Sequence, residues 1–162
     1  MDKKRIQDIW NFIEEQFVKC RKRMEEKDYR EAIDLIYDIA GNISNLYWLI
    51  EYSQTSTDKG KILNNLSILY TRNRLSKDYG IAFRENWELR NIAKYGYFAS
   101  PKSVINSTEL PESVVQELFI LISDLFNECK KYIDRVSSPE CKFIEEHLQE
   151  CYGVFGHDSQ TP

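Results

Sequence analysis

The spacing of the apolar residues constrains this chain more than any other feature of its sequence. Between Lys3 and Glu26 the apolar side chains recur at steps of three and four residues, which is the period of a helix that buries one face. The same period returns in later segments. With only 6 Gly and 4 Pro in 162 residues, the chain lacks the breakers that a fold of many short strands needs. The sequence therefore predicts an all-α fold.

Capping residues and breakers indicate where the predicted helices begin and end. Asp28 is predicted to cap the second helix, because its carboxylate can accept the free amide groups of the first turn, and Glu31 completes a capping-box pair. Pro111 suits the first turn of a long helix that runs to Val136, since its missing amide group costs nothing there. The other predicted helices cover residues 62–70, 81–95 and 139–151, and residues 53–60 and 98–110 are predicted loops. We predict one domain over residues 1–153 and a disordered tail over 154–162.

Several classes of protein are excluded by the apolar runs and by the missing motifs. Polar residues interrupt the first apolar segment, so no signal peptide is predicted, and the longest apolar runs fall far short of the roughly 20 residues that span a bilayer. The four cysteines lack the spacing of metal ligands and are predicted to be reduced, packed thiols: Cys20, Cys129, Cys141 and Cys151. No dinucleotide, phosphate-loop, hydrolase or zinc motif occurs. We therefore expect a cytoplasmic protein with no membrane contact, metal or cofactor.

The excess of positive over negative charge in this acidic chain is largest in one stretch. The formal net charge is −4, yet residues 59–102 carry nine Lys and Arg against three acidic residues, a net charge of +6. Such a stretch can offer a surface to phosphate groups without making the whole protein bind nucleic acid. Four of its cations are candidate RNA contacts: Arg72, Arg74, Arg84 and Lys94. The alternative is that these side chains only cover solvated helix faces.

The most informative segment covers residues 89–98 and reads LRNIAKYGYF. It resembles the signature of the HEPN family (higher eukaryotes and prokaryotes nucleotide-binding domains), which is Arg-Asn, three residues, and then His-Gly-Tyr or His-x-Tyr. Arg90, Asn91, Gly96 and Tyr97 match this pattern in identity and spacing, whereas Tyr95 stands where the family has His. Together with the helices predicted above, the resemblance implies an all-α, up-and-down bundle of about five to six helices.

In function, the resemblance implies a homodimer that joins two such motifs in one cleft and, in many members, cleaves RNA without a metal ion. Arg90 would supply a permanent cation to the scissile phosphate, with Asn91 beside it. A tyrosine hydroxyl ordinarily has a pKa of about 10, so Tyr95 is a poor general base at pH 7, although it can donate a hydrogen bond or act as an acid. The catalytic candidates are therefore Arg90, Asn91 and Tyr95, in a divergent endoribonuclease-type site of a prokaryotic toxin–antitoxin or antiviral defence system.

The same resemblance implies a modification and a protein partner. Some HEPN toxins are controlled by an antitoxin that adenylylates the Tyr two residues after the family His, which by position is Tyr97. Tyr97 is therefore a candidate modification site. The candidate partners are RNA, a second copy of the chain, and a cognate antitoxin or defence protein.

Two other interpretations stay open at this point. A catalytically inactive helical adaptor that binds a protein partner would account for Tyr95 and for the acidic C-terminal third. Arg90 and Asn91 can also lie near an ordinary helix end, closed by the following Gly-Tyr-Phe, in a bundle unrelated to HEPN. Near the motif, Arg84 and Glu88 are spaced to form an ion pair one helical turn apart or to orient Arg90.

Overall fold

The structure, a computed structural model, describes residues 2–95 and 110–138. These residues form six α-helices and contain no β-strand. The helices are α1 (Lys3–Glu25), α2 (Tyr29–Tyr52), α3 (Lys59–Thr71), α4 (Tyr79–Glu85), α5 (Trp87–Tyr95) and α6 (Glu112–Ser137). The predicted all-α bundle is confirmed. The predicted final helix from Pro139, the tail, and the predicted loop over residues 98–109 lie outside the described residues.

Helix α2 is the centre of the bundle. It packs against α1, α3, α5 and α6, and its apolar side chains cover more than one face, so that Ile33, Ile36, Ile39 and Ile43 are all fully buried. Residues of all six helices belong to one hydrophobic cluster around it. Since burial of an isoleucine side chain contributes about 1.5–3 kcal/mol, α2 supplies much of the stability of the bundle.

Helices α1 and α6 both pack against α2, and their chains run in opposite directions. Stacked aromatic rings join α1 to α6, with centroids 5.0 Å apart for Trp10 and Phe126 and 4.1 Å apart for Phe17 and Phe126. Hydrogen bonds tie α6 to α2 at both ends, from Tyr29 to Glu112 (2.5 Å) and from Tyr132 to Glu51 (2.7 Å). Because the starts of α2 and α6 meet, as do their ends, these two helices run in the same direction.

The loop after α2 decides where α3 begins. Ser53 adopts a left-handed conformation (φ 53°) and reverses the chain, and the side chain of Asn45 then exchanges two hydrogen bonds with the backbone of Ser56, both 3.0 Å long. The loop therefore returns along α2, and α3 begins beside the middle of that helix. Ser44 donates to the carbonyl of Ile62, also in this region. Helices α2 and α3 consequently run in the same direction, a departure from strict up-and-down alternation.

The predicted fourth helix is in fact two helices. Asp78 caps α4 by accepting the amide of Ile81, so the helix begins two residues before the predicted start. Asn86 separates α4 from α5, because its side-chain amide donates to the carbonyl of Ala82 at 2.9 Å and its backbone leaves the helical conformation. Short polar side chains interrupt helices by this kind of local bond. The apolar period alone did not reveal the break.

Other predicted helix ends differ in detail. Asp28 accepts the amide of Glu31 as predicted, at 3.3 Å, but the Glu31 carboxylate pairs with Arg23 at 3.1 Å. It does not cap Asp28, whose amide already donates to the carbonyl of Arg23 at the end of α1. The capping-box prediction is therefore half right. Pro111 is the cap residue directly before α6 and does not belong to its first turn.

The two described cysteines are buried, free thiols inside the core. Burial raises the pKa of Cys20 to about 12, so its thiol stays protonated at neutral pH. Burial also raises the pKa of Cys129. The packing role predicted for Cys20 and Cys129 is confirmed, and Cys141 and Cys151 lie outside the described residues.

Candidate functional site

The candidate site is built around α5, a short helix whose inner face packs against α2. Leu89, Ile92 and Ala93 of this helix are buried. Arg90 lies three residues before Ala93, on the same side of the helix, so the packing of α5 carries its side chain inward. Arg90 is only 3% exposed. A ligand would therefore contact it through a cavity and not across an open surface.

The guanidinium of Arg90 is held by rings and by one amide. It lies over the ring of Trp87 at 4.8 Å and over the ring of Tyr95 at 5.8 Å, and its Nη1 donates to the side-chain oxygen of Asn91 at 3.3 Å. Its Nη2 is buried and has no hydrogen-bond partner within the described residues. A buried cation normally requires pairing with a carboxylate. In residues 2–95 and 110–138, no carboxylate lies within ion-pair distance of Arg90, and Asp38 acts on it only at longer range.

Arg90 lines a cavity of about 160 Å³ between α2, the start of α3 and α5. The polar lining includes Asp38, Thr57 and Lys59, all of which are exposed, so the cavity opens to solvent on their side. The remaining lining residues are Tyr37, Gly41, Asn42, Asn45, Ile62, Leu63 and Trp87. This volume is far above the roughly 10–15 Å³ that one water molecule needs and about half the lower limit, near 300 Å³, for pockets that hold drug-sized ligands. It suits a small group such as a phosphate.

The charges at the cavity influence one another. Partial burial lowers the pKa of Lys59, and the cations Arg90 and Lys94 lower it further, against the opposing effect of Asp38. Partial burial raises the pKa of Asp38, as does its neighbour Asp34, although all three cations act in the opposite direction. The mutual repulsion of three cations favours an anion at this place, because a bound anion would relieve it.

The structure brings together four of the residues predicted from the motif region. Asn91 contacts Arg90 directly, and Lys94 lies 5.8 Å from the ring centre of Tyr95. Tyr95 is 50% exposed, so this residue is accessible beside the buried cation. Tyr97, the candidate modification site, lies outside the described residues, and so does Gly96.

The other three residues predicted to contact RNA are Arg72, Arg74 and Arg84, and none of them lines the cavity. Arg84 donates to Asn64 at 2.8 Å, to Ser67 at 3.0 Å and to the carbonyl of Gly80 at 3.3 Å, so it braces α4 against α3. The predicted ion pair between Arg84 and Glu88 required one continuous helix through both residues, and the break at Asn86 interrupts that helix. In these bonds Arg84 uses all of its guanidinium nitrogens on other partners.

Arg72 and Arg74 follow the far end of α3. Arg72 lies over the rings of Trp48 and Tyr52, at 5.6 and 4.8 Å, and Arg74 lies 3.7 Å from the carboxylate of Glu51. At 1.5 Å per residue, the length of α3 places them about 20 Å from Lys59. They do not belong to the cavity.

Sequence reasoning missed the second cation of the cavity. Lys59 belongs to the positively charged stretch, but it was not among the selected residues, because no spacing rule connects it with Arg90. The returning loop before α3 brings the two together. Asp38 was missed as a site residue for the same reason. Trp87 was also missed, although its spacing from Arg90 gave a usable signal, since an aromatic residue one turn before an arginine can form a cation–π contact.

Within the described ranges, no cluster of three or more His, Cys, Asp or Glu could hold a metal ion. None of the helices in that part of the chain combines the length and the apolar run that crossing a bilayer requires. Comparison of the chain with protein-family models, curated proteins and solved structures finds no significant match. The HEPN assignment therefore stays a prediction from residues 89–98.

Proposed function

We propose that this chain is a HEPN-like, RNA-binding module of a prokaryotic toxin–antitoxin or antiviral defence system, which holds a phosphate group of RNA at the cavity beside Arg90. One observation carries the proposal: Lys59 and the buried Arg90, from two different helices, line a single small cavity, and Lys94 adds its positive charge from nearby. Phosphate contacts with Lys and Arg supply most of the affinity of proteins for nucleic acids. The half-exposed ring of Tyr95 offers a base a surface on which to stack.

As an endoribonuclease, the module would act as a homodimer and without a metal ion. Arg90 would neutralise the scissile phosphate, Asn91 would hold the guanidinium in place, and Tyr95 would donate a proton or a hydrogen bond. None of these three groups is a good base near pH 7, so we expect slow cleavage at neutral pH. Replacing Tyr95 by the family histidine would supply a group that titrates in the required range.

RNA binding is tested by fluorescence anisotropy with a labelled single-stranded RNA at several salt concentrations. Lys59→Gln and Lys94→Gln should each weaken binding and reduce the slope of log affinity against log salt by about 1, because each removes one phosphate contact. Lys61→Gln is the matched control, since it removes the same charge from an exposed position on α3 that does not line the cavity. Equal affinities for all four proteins would contradict the proposal.

Cleavage is tested separately, by incubating RNA with the protein in EDTA. Tyr95→His should increase cleavage, and the double variant Tyr95→His/Arg90→Gln should abolish the gain. Circular dichroism establishes that both variants fold. If Tyr95→His binds RNA but cleaves none, only the binding function remains.

A second candidate function is favoured by an apolar groove between α1 and α2. Its cavity of about 380 Å³ is lined by Ile9, Phe12, Leu46 and Leu49 among others, and Phe12 is 53% exposed. Exposed apolar patches mark protein interaction sites. A helical adaptor would bind its protein partner, such as a cognate antitoxin or defence protein, at this groove. Loss of a co-purifying partner in Phe12→Ser, with the partner retained in Ile120→Ser on α6, would favour the adaptor.

A further inference from the structure

We infer that the cavity beside Arg90 accepts a terminal phosphate group, a phosphomonoester, in preference to an internal phosphodiester of a continuous strand. The inference deepens the RNA-binding form of the proposed function and rests on it for RNA as the source of the phosphate, whereas the endoribonuclease form requires an internal phosphodiester to reach Arg90. A free mononucleotide carries the same group and is the other possible source.

The size of the cavity is the first argument. The guanidinium of Arg90 is 3% exposed and borders a space of about 160 Å³, which is too small for a complete nucleotide. An internal phosphodiester continues on both sides, so it could reach Arg90 only if the strand entered and left this space. A terminal phosphate needs a single opening, and the exposed side formed by Asp38, Thr57 and Lys59 provides one.

The positive charge at the cavity also favours a terminal phosphate over an internal phosphodiester. A phosphomonoester carries a charge of about −1.5 to −2 at pH 7 and has three strongly accepting oxygens, whereas a phosphodiester carries about −1 and has two. Arg90 and Lys59 line the cavity, and Lys94 adds its positive charge from nearby. Among the described residues, Asp38 lines the cavity and Asp34 lies close to Asp38, and both carboxylates oppose an anion. The three cations exceed these two carboxylates, and a net positive charge attracts a dianion more strongly than a monoanion.

The hydrogen-bond donors that line the cavity suit the three oxygens of a terminal phosphate. The Nη2 group of Arg90 is buried without a hydrogen-bond partner among the described residues, which is costly unless a ligand or a small movement provides an acceptor. Lys59 and the hydroxyl of Thr57 add further donors at the opening. Asn42 and Asn45 also line the cavity, but their side-chain amides already donate to Gln16 and to the carbonyl of Ser56. Arg90 Nη2, Lys59 and Thr57 are thus the donors that a terminal phosphate can satisfy, and the amides of Asn42 and Asn45 each keep one further N–H group.

The experiment compares five probes with the full chain by calorimetry and anisotropy. They are one RNA sequence with hydroxyl groups at both ends, the same RNA with a 5′-phosphate, the same RNA with a 3′-phosphate, its circular form, and AMP. One of the phosphorylated ends should bind at least about tenfold more tightly than the hydroxyl-ended and circular forms, as expected for one or two added hydrogen bonds between charged groups. Competition by AMP would identify a free mononucleotide as an alternative source.

Variants at and near the cavity test whether the preference for a phosphorylated end arises there. Lys59→Gln should remove the advantage of the phosphorylated end, while Lys61→Gln should keep it. Arg90→Lys keeps the charge but loses the planar, forked donor group, so the advantage should shrink. Because Lys59 is exposed, its replacement leaves folding intact and decides the question even if a variant at Arg90 fails to fold.

The possible results separate this inference from the proposed function. Equal affinity for all four RNAs would overturn the inference and leave RNA binding standing. Binding of AMP that depends on Lys59, without any RNA binding, would support the cavity as a phosphomonoester site and overturn the proposed function. Binding of none of the probes would overturn both.

Discussion

Gly80 on α4 lies against the backbone of α3 with no room for a side chain, and replacing this residue by alanine gives a sharp test of the packing. An added Cβ would lie 2.5 Å from the Ser67 hydroxyl oxygen and 2.8 Å from the Ser67 amide, and it would also overlap the carbonyl of Leu63. Two of these three atoms belong to the backbone of α3 and cannot turn away. Overpacking of this kind costs typically 1–3 kcal/mol, and we expect the upper part of that range.

Alanine also favours the helical conformation over glycine by up to about 1 kcal/mol, which offsets part of the cost. The net destabilisation of Gly80→Ala should therefore be about 2 kcal/mol. For a chain of this length, each kcal/mol lowers the melting temperature by about 2–4 °C, so the expected decrease is about 4–8 °C. Differential scanning calorimetry and urea denaturation measure it.

Gly41→Ala is the matched control, because the same substitution there should have the opposite sign. Gly41 lies inside α2, and an added Cβ would meet only the Cγ2 atom of Ile62, at an ordinary contact distance of 3.5 Å. The gain in helix propensity should then raise the melting temperature by about 2–4 °C. An equal effect of both substitutions, or a stabilising effect of Gly80→Ala, would refute the close contact between α3 and α4.

Three further expected outcomes concern the hydrogen bonds of Glu128, the stability of the protein at alkaline pH and the reactivity of the buried thiols. The Glu128 carboxylate accepts hydrogen bonds from the Ser76 amide (2.7 Å), the Ser76 hydroxyl (2.8 Å) and the Tyr79 hydroxyl (2.5 Å). Glu128→Gln should therefore destabilise the protein by about 1–2 kcal/mol in urea denaturation. An unchanged midpoint of unfolding would contradict this. Burial raises the pKa of Cys20 from 9.0 to about 12, so the unfolded chain loses this proton first, and the free energy of unfolding should fall between about pH 9 and pH 12. Each such group contributes a slope of about 1.4 kcal/mol per pH unit, and Cys20→Ala should make the measured slope shallower. In the folded protein Cys20 and Cys129 should resist alkylation near pH 8, which mass spectrometry measures; rapid labelling without unfolding would show that the two thiols are not buried.

Sequence reasoning found the local parts of the candidate site because they lie within two turns of one helix. Arg90, Asn91 and Tyr95 are close in the chain, so any helix over these residues brings them close in space. The periodic apolar residues likewise identified α1, α2 and α6 with their buried faces. The cap at Asp28 could be predicted for the same reason, because a carboxylate reaches the amides of the next turn whatever else the chain does.

The positions of the other site residues depend on contacts that are distant in sequence. Lys59 approaches Arg90 because the loop after α2 returns along that helix, and no short-range pattern encodes this path. The break at Asn86 depends on one side-chain hydrogen bond that competes with the regular helix.

For this protein, the amino-acid order determines the helices, their inward faces and the grouping of an arginine, an asparagine and a tyrosine on one of them. These features depend on interactions over three or four residues, which are the same in any helix. The burial of Arg90, the lack of a hydrogen-bond partner for its Nη2 among the described residues, and the small cavity shared with Lys59 arise only when α5, α2 and the start of α3 pack together. They depend on how close three separate segments come, and that distance is decided by the packing of side chains such as Trp87 and by the approach of α4 to α3 at Gly80.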